Sequence, residues 1–128
     1  MKLLLASSLL LIAAGSYSAG QNQKKSEPCP NAQSQAEMND CAGREYKKAD
    51  AELNQVYQKL VGMLEADEKT QLKAVEMTWI KYRDANCDFV ADQYRGGSIR
   101  PMILGFCLAD MTHNRANELK DQIKDRNQ

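Results

Sequence analysis

Apolar residues recur at steps of three and four along almost the whole chain, and nothing alternates with period two for long enough to make a strand. Met38, Ala42, Tyr46, Ala49, Leu53, Val56, Leu60 and Met63 set the rhythm first and share one helix face. Arg44, Lys47, Lys48, Glu52 and Lys59 fall opposite, on a face that reads as solvated. Leu72, Val75, Trp79, Tyr82, Asn86 and Val90 repeat the pattern, with Ile80 and Phe89 widening the stripe. A third stripe runs through Ile103, Phe106, Asp110, His113, Ala116, Leu119 and Ile123. Stripes of this kind bury themselves only against other helices. The expected fold is therefore all-α, with three antiparallel helices, two of them long and one after the "GGS" turn, in an up-down-up bundle.

Local signals mark the boundaries. Ser34 followed by Glu37 fits a capping box, in which the serine accepts a backbone N–H and the glutamate reaches back to another. Asp67 and Glu68 suit the N-terminus of the second helix, where the helix dipole favours negative charge. Gly96, Gly97 and Ser98 break the second pattern, and Pro101 fits the first turn of the third helix because its missing N–H is not needed there. Residues 20–34 are polar, with two prolines around Cys29, and read as an irregular lead-in to a helical domain over 35–128.

Residues 1–19 have a different build. Lys2 precedes an apolar run from Leu3 to Ala14 and then small residues, the pattern of a secretory signal peptide cut within about 18–20. The run falls short of the roughly 20 apolar residues that span a bilayer. Ser16 stands where a lipoprotein would carry its acylated cysteine, so the expectation is an exported, periplasmic or secreted protein with no membrane span and no lipid anchor. Roughly 110 residues remain, enough for one modest core. Lys2 is the only charge in the leader, which leaves 16 basic residues against 17 acidic ones. That balance argues against a nucleic-acid partner, which would draw a basic excess.

All 4 cysteines lie beyond the leader, and in an exported chain an even number reads as two disulfides with three possible connectivities. No pair has the close spacing of a zinc site, so no metal is expected. The architecture selects among the three. Cys87 and Cys107 stand at equal distance on either side of Gly97, so a hairpin centred there brings them together. A first turn near residue 66 would leave Cys41 a helical turn or more from Cys87, and Cys41 is better served by Cys29 on a lead-in folded back along the first helix. The predicted bonds are Cys29–Cys41 and Cys87–Cys107, each worth about 3 kcal/mol in the chain-entropy model.

Catalytic patterns are missing. His113 is the only histidine and falls on an apolar stripe, which suits a structural role. Ser26, Ser34 and Ser98 lie in no nucleophile motif, and the glycine pair matches neither a dinucleotide fingerprint nor a P-loop. Asp50, Arg83, Asp84, Asp110 and Arg115 fall near the stripes, where interhelical pairs of Asp50 or Asp110 with Arg83 or Arg115 are expected. Neither an enzyme nor a cofactor is anticipated. Trp79, Tyr57 and Tyr82 read as core, since aromatics dominate cores. Tyr94, Arg95, Ser98, Ile99 and Arg100 flank the glycine turn at the surface, where binding residues concentrate, and form the candidate partner-binding set.

Five stretches together resemble a known family. "QAEMNDCA" (Gln35 to Ala42), Y-x-x-A-D-x-x-L-N-x-x-Y (Tyr46 to Tyr57), W-I-x-Y-R-D-A-x-C (Trp79 to Cys87), "GGSI" followed by x-P (Gly96 to Pro101) and C-L-x-x-M-T-x-x-R (Cys107 to Arg115) are similar to the LprI-type lysozyme inhibitor domain. The resemblance implies a small exported helical domain, stapled by disulfides in a bacterial envelope, that blocks a lysozyme by protein–protein contact and catalyses nothing. The alternative function is a periplasmic envelope-stress adaptor with a non-lysozyme partner.

Overall fold

The computed structural model describes residues 29–128. The proposed leader and most of the lead-in lie outside them. Three helices account for nearly all of the described chain: α1 (Gln35–Val61), α2 (Ala66–Asp92) and α3 (Arg100–Arg126). α1 and α2 begin at capping boxes, and α3 at a proline. Ser34 Oγ accepts the Glu37 N–H at 3.2 Å, and Glu37 Oε2 accepts the backbone N–H of Ser34 at 3.2 Å and that of Gln33 at 2.6 Å. At α2 the Glu68 carboxylate accepts the Glu65 N–H at 3.2 Å. Pro101 sits in the first turn of α3.

Packing is uneven. α1 lies against α3, α2 lies against α3, and α1 and α2 meet little. α1 and α3 run in the same direction. A Cβ added to Gly105 would meet the Ala42 Cβ at 2.8 Å, so the two backbones nearly touch near their N-termini. Carrying that register along the pair sets Ala49, Leu53, Val56 and Leu60 beside Thr112, Ala116, Leu119 and Ile123, all of them buried. Small residues give the close approach at one end. Leucine, valine and isoleucine fill the core at the other, where Leu64 and Leu72 close it and Tyr57, Val61 and Trp79 pack on it.

The contacts of α2 with α3 are antiparallel and largely polar. The Cys87–Cys107 bond joins them near Gly97, with Cα atoms 5.6 Å apart. Arg83 Nη1 donates to Thr112 Oγ1 at 3.2 Å, Arg115 binds Glu76, and Arg126 pairs with Glu68 at 3.3 Å. Cys29–Cys41 is the second bond, with Cα atoms 6.1 Å apart. The three-helix architecture and both disulfide pairings agree with the sequence reading.

Two expectations about faces and one about ion pairs need correction. On α3 the buried row is Gly105, Ala109, Thr112, Ala116, Leu119 and Ile123, whereas Asp110 and His113 are exposed. Bulk was the misleading signal: the close approach to α1 admits only small residues in the first half of α3. On α2 the buried row is Leu72, Glu76, Arg83, Cys87 and Ala91, while Val75, Ile80, Tyr82 and Phe89 stay exposed. There the inner face carries two charged residues among small or apolar ones, and the larger apolar side chains point out. The interhelical ion pairs also differ in their partners, because Arg83 takes Asp84 and Thr112 and Arg115 takes Glu76 and Glu118.

Candidate functional site

The glycine turn makes the most exposed feature of one end of the bundle. Gly96 has φ of 80°, a left-handed conformation that glycine adopts without a Cβ clash. The Gly97 N–H donates to the Tyr94 carbonyl at 2.9 Å and the Arg100 N–H to the Gly97 carbonyl at 3.3 Å, so the turn is closed by its own backbone. Asn39 Nδ2, at the start of α1, donates to the Ser98 carbonyl at 3.0 Å and ties the turn to the neighbouring helix. Gln35 Nε2 in turn donates to Asn39 Oδ1 at 2.9 Å, which orients the asparagine. Both disulfides belong to this half of the molecule. A loop so braced loses little freedom on binding, and pre-organisation of that kind favours affinity.

The sequence-derived set falls in one place. Tyr94, Arg95 and Ser98 are exposed, and Ile99 and Arg100 are half-buried. The two guanidinium groups already have acidic neighbours. Arg95 bonds Asp92, and Arg100 Nη2 lies 3.6 Å from Asp88 Oδ1 and 3.7 Å from Asp92 Oδ1. The Arg95 hydrogen bond, aided by the charges of Arg95 and Arg100, holds the Asp92 carboxyl below its ordinary range, and Asp92 raises Arg95 in return. With the Arg95 side chain 77% exposed, these pairs can exchange one carboxylate for another at little cost.

Elsewhere the polar groups serve the bundle. His113 Nδ1 lies 2.9 Å from Glu52 Oε2, and Lys120 binds the other oxygen of Glu52, so the histidine joins α3 to α1 at the surface. Arg83 is 6% exposed and lies over the rings of Tyr46 and Trp79, 5.4 and 5.2 Å from their centroids. Among the described residues no group of three histidine, cysteine or acidic side chains is placed to hold a metal, and no helix is long and apolar enough to cross a membrane.

A family model described as "Lysozyme inhibitor LprI" matches residues 26–119, a span that includes both disulfides and the turn. The chain belongs to the LprI lysozyme inhibitor family. An uncharacterized protein from Rhizobium meliloti (strain 1021) is 38% identical over 120 residues, covering 83% of this chain and 86% of that protein. No solved structure matches. Within this LprI fold, the turn sits among residues that hold it still, and the family motifs divide accordingly. Trp79, Arg83, Cys87, Cys107, Thr112 and Arg115 build the α2–α3 contact, whereas the "GGS" segment is displayed.

Sequence reasoning missed one surface. Val75, Tyr82 and Phe89 are 51, 62 and 77% exposed and lie seven residues apart on the outer face of α2. Their helical spacing suggested core. The signal against it was Glu76 and Arg83, charged residues at core spacing on the same helix, which find partners on α3 and so claim the inner face.

Proposed function

We propose that this LprI-family protein is exported and blocks a lysozyme by protein–protein contact through the turn at residues 94–100, without catalysis of its own. The family match over residues 26–119 carries the reading. Two disulfides favour it, because such bonds persist in oxidising compartments outside the cytoplasm. The leader at residues 1–19 supplies the export signal, and the periplasm or the exterior is the destination.

Contact chemistry follows from the turn. A lysozyme cleft holds two carboxylates, one an acid and one a nucleophile or charge stabiliser. Arg95 and Arg100 exchange Asp92 and Asp88 for those carboxylates, forming charge-assisted hydrogen bonds, while Tyr94 and Ile99 fill space beside them and the exposed Ser98 hydroxyl offers a further donor. The test is lysis of a cell-wall suspension by chicken-type and other lysozymes with and without the protein. Protection at micromolar protein is expected. Unhindered lysis with every lysozyme type would favour an adaptor that binds some other envelope partner.

A further inference from the structure

The outer face of α2 carries a second helical seam that stays exposed among the described residues. Gln71, Val75, Thr78, Tyr82, Ala85 and Phe89 follow one another at steps of four, three, four, three and four, and all six are exposed. None is charged. The Thr78 hydroxyl donates to the Ala74 carbonyl at 3.0 Å and is satisfied within its own helix, while the Gln71 carboxamide and the Tyr82 phenol lie at side-chain tips that can stay in water at the rim of a contact. The seam runs about 27 Å at 1.5 Å per residue.

Sizes along the middle of the seam alternate. One heptad position holds the large aromatics Tyr82 and Phe89, with Val75 ahead of them, and the other holds the small Thr78 and Ala85, with Gln71 ahead of them. Parallel pairing of two such helices sets large against large and small against small. Antiparallel pairing instead sets Val75 against Ala85, Tyr82 against Thr78 and Phe89 against Gln71, each pair occurring twice about a two-fold axis. Each Tyr82 ring then meets the smaller Thr78, in the two layers next to the axis, where parallel pairing would set it against its own copy; a knob facing space is what packing of this type requires. We propose that the occupant of this face is a second copy of the same chain, docked α2 to α2 in antiparallel fashion to form a symmetric dimer.

Area supports the proposal. Tyr82 and Phe89, at 62 and 77% exposed, leave roughly 280 Å² of side chain in water if a fully exposed aromatic presents about 200 Å². Two protomers thus supply roughly half of the ~1,200 Å² at which specific interfaces begin from these aromatics alone. Val75, Gln71, Thr78 and Ala85, all exposed, add to this. An isologous contact of this sort closes on itself and leaves no surface for further growth. Lys81 is the charge nearest the axis, and the register brings it beside its own copy at the flank. Salt therefore strengthens the dimer by screening that pair. The two glycine turns emerge at opposite ends of the paired helices, so the dimer leaves both free and does not depend on what they bind.

Sedimentation equilibrium on the purified protein, with both disulfides formed, tests the proposal. A dimer mass at micromolar concentration is expected. Tyr82→Lys, on an exposed face and checked for unchanged helicity by circular dichroism, should weaken association at least tenfold, whereas Lys81→Gln should tighten it. Orientation is read by cross-linking: Gln71→Cys and Phe89→Cys proteins should form a disulfide with each other when mixed and neither with itself. A monomer at all concentrations, a dimer indifferent to Tyr82→Lys, or self-linking of the single variants would each overturn the assignment.

Discussion

Gly105 sets the distance between two helices. Its place in the middle of a helical pattern costs about 1 kcal/mol relative to alanine by propensity alone, yet a Cβ there would lie 2.8 Å from the Ala42 Cβ and 3.1 Å from its carbonyl carbon. Gly105→Ala must push α1 and α3 apart, and overpacking of that kind costs about 1–3 kcal/mol. The net expectation is a loss of about 1 kcal/mol, read as a lower urea midpoint; a higher midpoint would mean that the close approach contributes nothing. Arg115 and Glu76, with side chains 11 and 10% exposed, form the most buried ion pair among the described residues. Burial alone would lower the Arg115 pKa, but hydrogen bonds to Glu76 and Glu118 outweigh it and the group is raised. Arg115→Ala strands the Glu76 carboxylate and should cost about 3 kcal/mol. The double change Glu76→Leu with Arg115→Met should recover most of that loss, because a packed apolar pair avoids burying charge, and failure to recover would assign the cost to something other than the stranded charge. Glu52 gives a pH dependence. The Lys120 hydrogen bond, then that of His113, lower its pKa in the folded protein. A depressed carboxylate contributes stability above its unfolded value of roughly 4.3, and the contribution fades as pH falls through the folded value. Glu52→Gln should therefore cost up to ~1 kcal/mol near neutral pH, with the gap from the unmodified protein closing as pH falls below about 4. A gap that widened in acid would reverse the argument.

The elements are held by different mixtures of force. α1 and α3 supply most of the apolar core, to which α2 adds Leu72 and Trp79, whereas α2 also meets α3 through Arg83, Glu76, Glu68 and the Cys87–Cys107 bond. Removing that bond with paired alanines should cost about 3 kcal/mol, since it closes a loop of some twenty residues. The loss should appear first in α2. Hydrogen exchange on the alanine variant should show α2 amides less protected than those of α1 and α3, and uniform protection would show that the polar contacts alone bind α2 as firmly as the core binds the other two. Helix ends were legible in the sequence because caps are local: Ser34 with Glu37 and Pro101 fix them without knowledge of the fold. Faces were less legible. Spacing says that a residue recurs on a face, but the neighbour that meets the face decides which residues it admits. Ile103 and Phe106 have the apolar character of core residues, yet Gly105 and Ala109 occupy the buried row because α1 passes so near.

Taken as a whole molecule, the protein separates a braced end from an exposed flank. The turn at residues 94–100 and the outer seam of α2 are distinct surfaces, so changes in one should leave the other's readout intact. Arg95→Ala, Ser98→Ala and Arg100→Ala combined should abolish protection against lysozyme while leaving the oligomeric mass unchanged, and full protection by the folded triple variant would remove the turn from the contact. The candidate site was legible as a location, since glycines between helices, equidistant from two cysteines, can only be a displayed turn. Its electrostatics were not, because Asp88 and Asp92 reach Arg100 and Arg95 only once the helix and turn have folded. By itself the sequence determined the helical class, the element boundaries and both disulfide pairings, all of which follow from local caps, period and spacing. Tertiary structure decided which face of α2 turns inward. Two buried charges, Glu76 and Arg83, find partners on α3, and an unpaired charge in the interior costs more than leaving apolar side chains such as Val75, Tyr82 and Phe89 in water.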